Sequence, residues 1–151
     1  MSPHARESSN PQMKAWLARI GAVIELMAGN LDAAFDAALA AIQADPHGLN
    51  TVLALANAGQ AALWMGDQAR LQQVVTSGQN GRGFMADAVG RVIQALEAGL
   101  AAVQGHHEQA ALAYDSLLAT RLSTGNRFAH AVLTVDAISV LPPGLVPEGA
   151  I

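Results

Sequence analysis

Apolar residues recur every three or four positions along most of the chain, and short polar or glycine-containing segments interrupt this pattern. Such spacing places the apolar side chains on one face of an α-helix. The pattern predicts seven helices, whose apolar positions span residues 16–27, 31–42, 49–65, 71–75, 85–103, 110–122 and 128–138. The third of these is apolar on nearly every side, which predicts a central, buried helix.

A recurring turn, glycine followed by polar residues, separates the two helices of each successive pair. Gly29, Gly66 and Gly105 stand at these turns, 37 and 39 residues apart. A period of this length indicates an array of helical hairpins, which bury their apolar faces by stacking on one another. Three hairpins leave a final helix unpaired, and such a helix either caps the stack or indicates a chain cut from a longer array.

Proline and glycine mark the other boundaries. Asp45 precedes Pro46 and ends the second helix, because the residue before a proline is pushed out of the α region. Residues 77–83 form the clearest break and predict a flexible connector between hairpins. The expected organisation is a disordered N-terminal head at residues 1–11, a helical repeat domain at 12–141 and a Pro/Gly-rich tail at 142–151.

The composition favours an all-α protein and excludes several functional classes. Aromatic residues, which are enriched in strands, make up only 4% of the chain, so little sheet is expected. The chain has no cysteine, which excludes disulfides and thiolate metal sites. A formal net charge of −4 argues against general nucleic-acid binding, which needs a basic surface.

The mean hydropathy of +0.27 raises the question of a membrane span. A spanning helix needs roughly 20 mostly apolar residues. The best candidate, residues 128–141, is shorter than this and carries His130 and Asp136. The polar N-terminus lacks the apolar core of a signal peptide. We therefore expect a cytoplasmic protein with no membrane partner.

The first hairpin resembles a tetratricopeptide repeat. Counted from Gly29 at the turn, Ala34, Ala41 and Pro46 fall where that repeat has its two small helix-crossing residues and its closing proline. The period of 37 to 39 residues is longer than the family's about 34 residues, so the repeats are degenerate.

The later hairpins keep part of the same pattern. In the second, Gly59 holds the small position of the first helix, but Leu71 stands where a small residue belongs. The third keeps Ala98, Ala110 and a large aromatic residue, Tyr114, and lacks the proline. The resemblance implies a right-handed α-solenoid of about three such hairpins plus the final helix.

A narrower resemblance concerns residues 96–100 and 103–114, followed by the helix at 128–137. These segments are similar to the C-terminal helical arrays of large actinobacterial regulators. In those proteins the arrays follow a class III adenylyl cyclase or a nucleotide-binding ATPase module. The resemblance covers roughly residues 15–141 and implies a regulatory role, although the sequence contains no nucleotide-binding or cyclase motif.

Two motifs resemble ligand sites but favour structural roles. His106, His107 and Glu108 are consecutive, whereas helical zinc sites use histidines four residues apart, so a solvated turn is expected. Residues 77–83 are rich in glycine like a phosphate-binding loop. They lack the Gly-Lys-Ser/Thr ending and a preceding strand, which favours a connector.

Two titratable residues of the last helix receive the same interpretation. His130 is expected at the surface or the rim of the apolar stripe. Asp136 is expected to face solvent or to pair with an arginine, because no second carboxylate accompanies it for acid–base catalysis. We therefore expect no catalytic residue, metal or cofactor.

The tetratricopeptide pattern also implies a concave groove lined by the first helix of each hairpin. Its lining would comprise Trp16, Arg19, Val23, Met27, Leu53, Gln60, Leu63, Trp64, Val92, Gly99 and Val103. Such a groove would be mostly apolar, with aromatic and methionine side chains of the type enriched at interfaces. The candidate partner-binding residues are Trp16, Arg19, Met27, Gln60 and Trp64. Alternatively, the two tryptophans pack in the core.

These observations favour a non-catalytic protein-interaction or regulatory module that binds a protein or peptide. A second hypothesis is homo-oligomerisation, because a second copy can close an apolar groove as well as a foreign partner can. A third is a small helical enzyme, which the absence of an acid–base or nucleophile constellation disfavours.

Overall fold

The computed structural model describes residues 10–80 and 86–150. Within them the chain is helical and has no strand, as expected for an all-α protein. The helices are α1 (Pro11–Met27), α2 (Leu31–Ala44), α3 (Leu49–Met65), α4 (Gln68–Asn80), α5 (Ala86–Val103), α6 (His107–Ser123) and α7 (Arg127–Val140), followed by the short 3-10 turns Pro143–Leu145 and Glu148–Ala150. No helix of these residues is both long and apolar enough to cross a membrane.

Side-chain caps define two helix starts. The Asn10 side chain accepts a hydrogen bond from the Gln12 backbone N–H, and Pro11 follows it as the first residue of α1. Proline suits this position because the first helical N–H has no partner inside the helix. At α7, the Asn126 side chain accepts a hydrogen bond from the Ala129 backbone N–H and caps the helix.

The turn glycines have left-handed backbone conformations. Their φ angles are +79° at Gly29, +66° at Gly66 and +87° at Gly105. Gly125, before α7, adds a fourth turn of this kind at +71°. Residues with a side chain are strained in this region, so glycine lets each helix stop and the chain reverse.

The helices pack in a regular order. Each packs against the next one along the chain, and α1 packs on α3, α3 on α5, and α5 on α7. Contacts also join α3 to α7. Helix α3 therefore touches α1, α2, α4, α5 and α7, in agreement with its predicted central and buried position.

Helix α5 connects two apolar clusters of the core. Ile93 and Leu96 belong to the cluster that α5 shares with the preceding helices. Ala98 and Ala102 belong to the cluster formed with α6, α7 and the C-terminal turns, in which Tyr114 is fully buried. Burying both faces of α5 makes the core continuous along the chain.

Helices α3 and α5 approach closely through two glycines. A Cβ atom added at Gly99 would lie 2.6 Å from Leu63 Cδ1 and 3.2 Å from the Tyr114 hydroxyl oxygen. One added at Gly59 would overlap the end of Leu96. The sequence predicts small residues at this helix crossing. The space that a side chain at Gly59 or Gly99 would occupy is taken up by a leucine side chain of the opposite helix.

The predicted connector at residues 77–83 is wrong in its first part. Helix α4 continues through Asn80, and Gly78 is buried against Ile93 of α5. The glycine serves close helix packing there, because a Cβ atom would overlap the isoleucine side chain. The rest of the predicted connector, residues 81–83, lies outside the described residues, as does most of the predicted N-terminal head.

The C-terminal turns pack on the last two helices. Both contact α6, and the turn at Glu148–Ala150 also contacts α7. Ala150 is buried in the same cluster as Leu118 and Leu133. The tail thus covers apolar surface at the C-terminal end of the helical array.

Candidate interaction groove

An open apolar groove of about 430 Å³ lies between α1, α3 and α7. We call it the α1/α3/α7 groove. It is lined by Val23, Leu26, Met27, Asn57, Gln60, Trp64, Phe128, Ala131, Val132 and Val135. Met27 and Phe128 are 84% and 82% exposed, so the apolar lining is open to solvent.

A buried carboxylate connects the floor of this groove to its α7 wall. Asp136 Oδ1 accepts a hydrogen bond of 3.1 Å from Gln60 Nε2 and one of 3.2 Å from Trp64 Nε1. Because Gln60 and Trp64 are one turn apart on α3, a single oxygen of α7 can meet both donors. These bonds fix the position of α7 relative to α3.

The buried surroundings of Asp136 disfavour the ionised form of its carboxyl group. Burial raises the pKa of its carboxyl, and the hydrogen bonds from Gln60 and Trp64 offset only part of this effect. The expectation that Asp136 faces solvent or pairs with an arginine is therefore wrong. Asp136 is only 7% exposed, and its hydrogen-bond donors come from a helix distant in sequence.

Three of the five candidate partner-binding residues line the groove: Met27, Gln60 and Trp64. Trp16 lies on α1 outside the lining and is 46% exposed. Arg19 is also outside it, and its Nε donates a hydrogen bond of 3.2 Å to Asn50 Oδ1. The structure thus brings together the C-terminal ends of α1 and α3 but not the first turns of α1.

Several other residues of the predicted lining lie elsewhere. Leu63 and Gly99 are buried against each other where α3 crosses α5, so they cannot contact a partner. Val103 packs partly buried against the core. Val92 lines a second, smaller cavity, and Leu53 is half-exposed outside the groove.

The α7 wall of the groove was not among the sequence candidates. Phe128, Val132 and Val135 all line it, although the sequence pattern assigns them to the apolar stripe of a packed helix. Phe128 is mostly exposed and Val135 is half-exposed, so that part of the assignment is wrong. Their apolar spacing was the available signal, but only the contact between α3 and α7 shows that they face the groove.

His106, His107 and His130 lie at the start of α6 and on α7. His106 is the exposed residue before α6, and His107 is its first residue. Within residues 10–80 and 86–150, no three histidine, aspartate or glutamate side chains are grouped so that they could hold a metal ion. His130 is half-buried on α7.

Comparisons with protein-family models, curated proteins and solved structures found no match to this chain. The tetratricopeptide resemblance therefore stays a prediction that rests on residue pattern. The described geometry itself offers an open apolar surface with aromatic and methionine side chains, which is suited to binding an apolar segment of another chain.

Proposed function

We propose that this chain is a non-catalytic protein-interaction module and that the α1/α3/α7 groove is its binding surface. The observation that carries the proposal is the exposure of apolar side chains from three helices in one concavity: Met27, Trp64, Phe128 and Val135. Contiguous exposed apolar surface of this kind marks interaction sites in proteins.

The order of helix packing supports a solenoid of tetratricopeptide-like hairpins. Contacts of α1 with α3, α3 with α5 and α5 with α7 are those expected of the first helices of successive hairpins. The small residues Ala34 and Ala41 of the first hairpin and Ala110 of the third are fully buried, as the repeat pattern implies. In this proposal α7 and the C-terminal turns cap the array.

The proposed biological setting is a bacterial signalling or transcriptional regulator. It rests on the similarity of residues 96–100, 103–114 and 128–137 to the helical arrays of actinobacterial regulators. In such a setting the module transmits the binding of a partner to the rest of a regulator, and its location is the cytoplasm.

Site-specific photo-crosslinking in the cells that produce this chain tests the proposal. A photoreactive amino acid at Val135 samples the groove, and the same group at Leu112 samples exposed apolar surface outside it. We expect a crosslinked protein from position 135 and none from position 112. Loss of that crosslink in a chain that also carries Met27→Asp, a change confined to the groove, would assign it to the groove.

The experiment also separates a foreign partner from self-association. A crosslinked product of twice the chain's own mass, with peptides from this chain alone, identifies homo-oligomerisation. A product that contains a second protein identifies a foreign partner. Equal crosslinking from positions 135 and 112 would contradict the groove as the binding surface.

A further inference from the structure

A second cavity, of about 180 Å³, lies among α3, α5, α6 and α7. Its polar lining consists of Gln60, Arg91, Arg121 and Asp136. The rest of its wall is apolar and includes Val92, Leu96 and Leu133. The volume holds about six water molecules at liquid density and falls below that of sites for drug-sized ligands.

The two arginines of this cavity have no anionic partner in the described part of the chain. The ion pairs found there both involve Arg70, which contacts Asp32 and Asp67. Arg121 Nε is buried and has no hydrogen-bond partner among residues 10–80 and 86–150. A buried hydrogen-bond donor on a charged group destabilises the fold when it has no acceptor. A ligand atom that accepts a hydrogen bond from Arg121 Nε would therefore bind favourably.

The carboxylate of the same cavity forms no ion pair with a cation in the part of the chain that the structure describes. Asp136 Oδ1 accepts from the neutral Gln60 amide and Trp64 indole, and Oδ2 accepts no hydrogen bond in the described residues. A buried carboxylate without a cation is unfavourable. The cavity is therefore lined by side chains of both charge signs that form no ion pair within the described residues.

We propose that this cavity binds a small apolar α-amino acid. Its carboxylate pairs with Arg91 and Arg121, its ammonium group pairs with Asp136, and its side chain packs on the apolar wall. A ligand with only one charged end leaves one set of protein charges unmatched, so both ends are required for tight binding. The cavity shares Gln60, Phe128 and Val132 with the α1/α3/α7 groove, but the assignment does not rest on a protein partner in that groove.

Isothermal titration calorimetry on the full chain tests this assignment with L-leucine as the probe. Isocaproate is leucine without its ammonium group, and isopentylamine is leucine without its carboxylate. We expect saturable binding of L-leucine and binding of each analogue that is weaker by about tenfold or more, as loss of one charge-assisted pair implies.

Variants assign the two ends of the ligand. Arg91→Met should weaken L-leucine by about tenfold, whereas Arg127→Met, outside the cavity on α7, should leave it unchanged. Asp136→Asn should remove the preference for L-leucine over isocaproate. Circular dichroism checks that each variant is folded.

Three results would overturn the assignment. The first is no binding of L-leucine, L-methionine or L-phenylalanine to the wild-type chain. The second is equal affinity for L-leucine and isocaproate, which would remove the role of Asp136. The third is an equal effect of Arg91→Met and Arg127→Met, which would indicate nonspecific charge.

Discussion

Replacing Trp64 with phenylalanine should destabilise the fold through the loss of one hydrogen bond. The indole Nε1 of Trp64 donates to the buried Asp136 carboxylate, and phenylalanine keeps an aromatic ring but has no donor. A hydrogen bond to a charged group contributes about 1.5–3 kcal/mol. Because Trp64 is 38% exposed and Gln60 still donates to Asp136, we expect a loss of about 2 kcal/mol in the free energy of unfolding.

Urea unfolding followed by far-UV circular dichroism measures this change. In a domain of this size, about 2 kcal/mol corresponds to a fall in Tm of about 4–8 °C. Trp64→Ala also removes the packed part of the ring, and its cost should lie near 3 kcal/mol, the lower end of buried tryptophan truncations.

A double-mutant cycle shows whether the loss arises from Asp136. In an Asp136→Ala background no side-chain acceptor remains, so Trp64→Phe should cost only the small difference in ring packing. An equal cost of Trp64→Phe in the wild-type and Asp136→Ala backgrounds would refute the hydrogen bond as its source.

Three further predictions concern the turns, the helix crossing and pH. In urea unfolding, Gly29→Val should be destabilising because residue 29 has a φ of +79°, whereas Gly21→Ala, inside α1 with free space around it, should stabilise by about 0.5–1 kcal/mol; stabilisation by both would contradict the turn. Gly59→Ala should cost about 1–3 kcal/mol by overlapping Leu96, and a combined Leu96→Ala change should show non-additive free energies; additive losses would argue against this crossing. Burial raises the pKa of Asp136 above its ordinary 3.8, so the folded state holds this proton more tightly than the unfolded state does. As the pH rises from 3.8 through the folded-state pKa, the wild type should therefore lose stability relative to Asp136→Asn, and above that pKa the difference should stay constant. A difference that does not depend on pH would contradict this burial.

The helices and their boundaries could be predicted from the sequence where neighbouring residues along the chain determine them. Gly29 and Gly66 mark real left-handed turns, and α3 runs over the predicted residues 49–65. The error at residues 77–80 has a tertiary cause. Glycine and polar residues there indicate a loop by local propensity, but Gly78 packs on Ile93, and this contact with α5 accompanies a helix that continues to Asn80.

The residues that line the groove could be predicted only in part, because some of them depend on contacts between helices distant in sequence. Met27 and Trp64 follow from the position of each residue within its own hairpin. Phe128 and Asp136 depend on how far the array bends, because α7 contacts α3, which lies four helices earlier in the chain. No local pattern encodes such a contact, so the α7 wall and the buried carboxylate could not be predicted.

The central claim is that the partner binds in the α1/α3/α7 groove. Its most direct test measures by sedimentation velocity how tightly two charge variants of the chain bind the partner. The partner is the protein identified by crosslinking, or a second copy of the chain. Val135→Asp places a charge in the groove, and Leu112→Asp places the same charge on exposed apolar surface outside it. We expect Val135→Asp to weaken association by about 30-fold or more, as interface anchors do, and Leu112→Asp to leave it unchanged. Equal association of the two variants would contradict the claim.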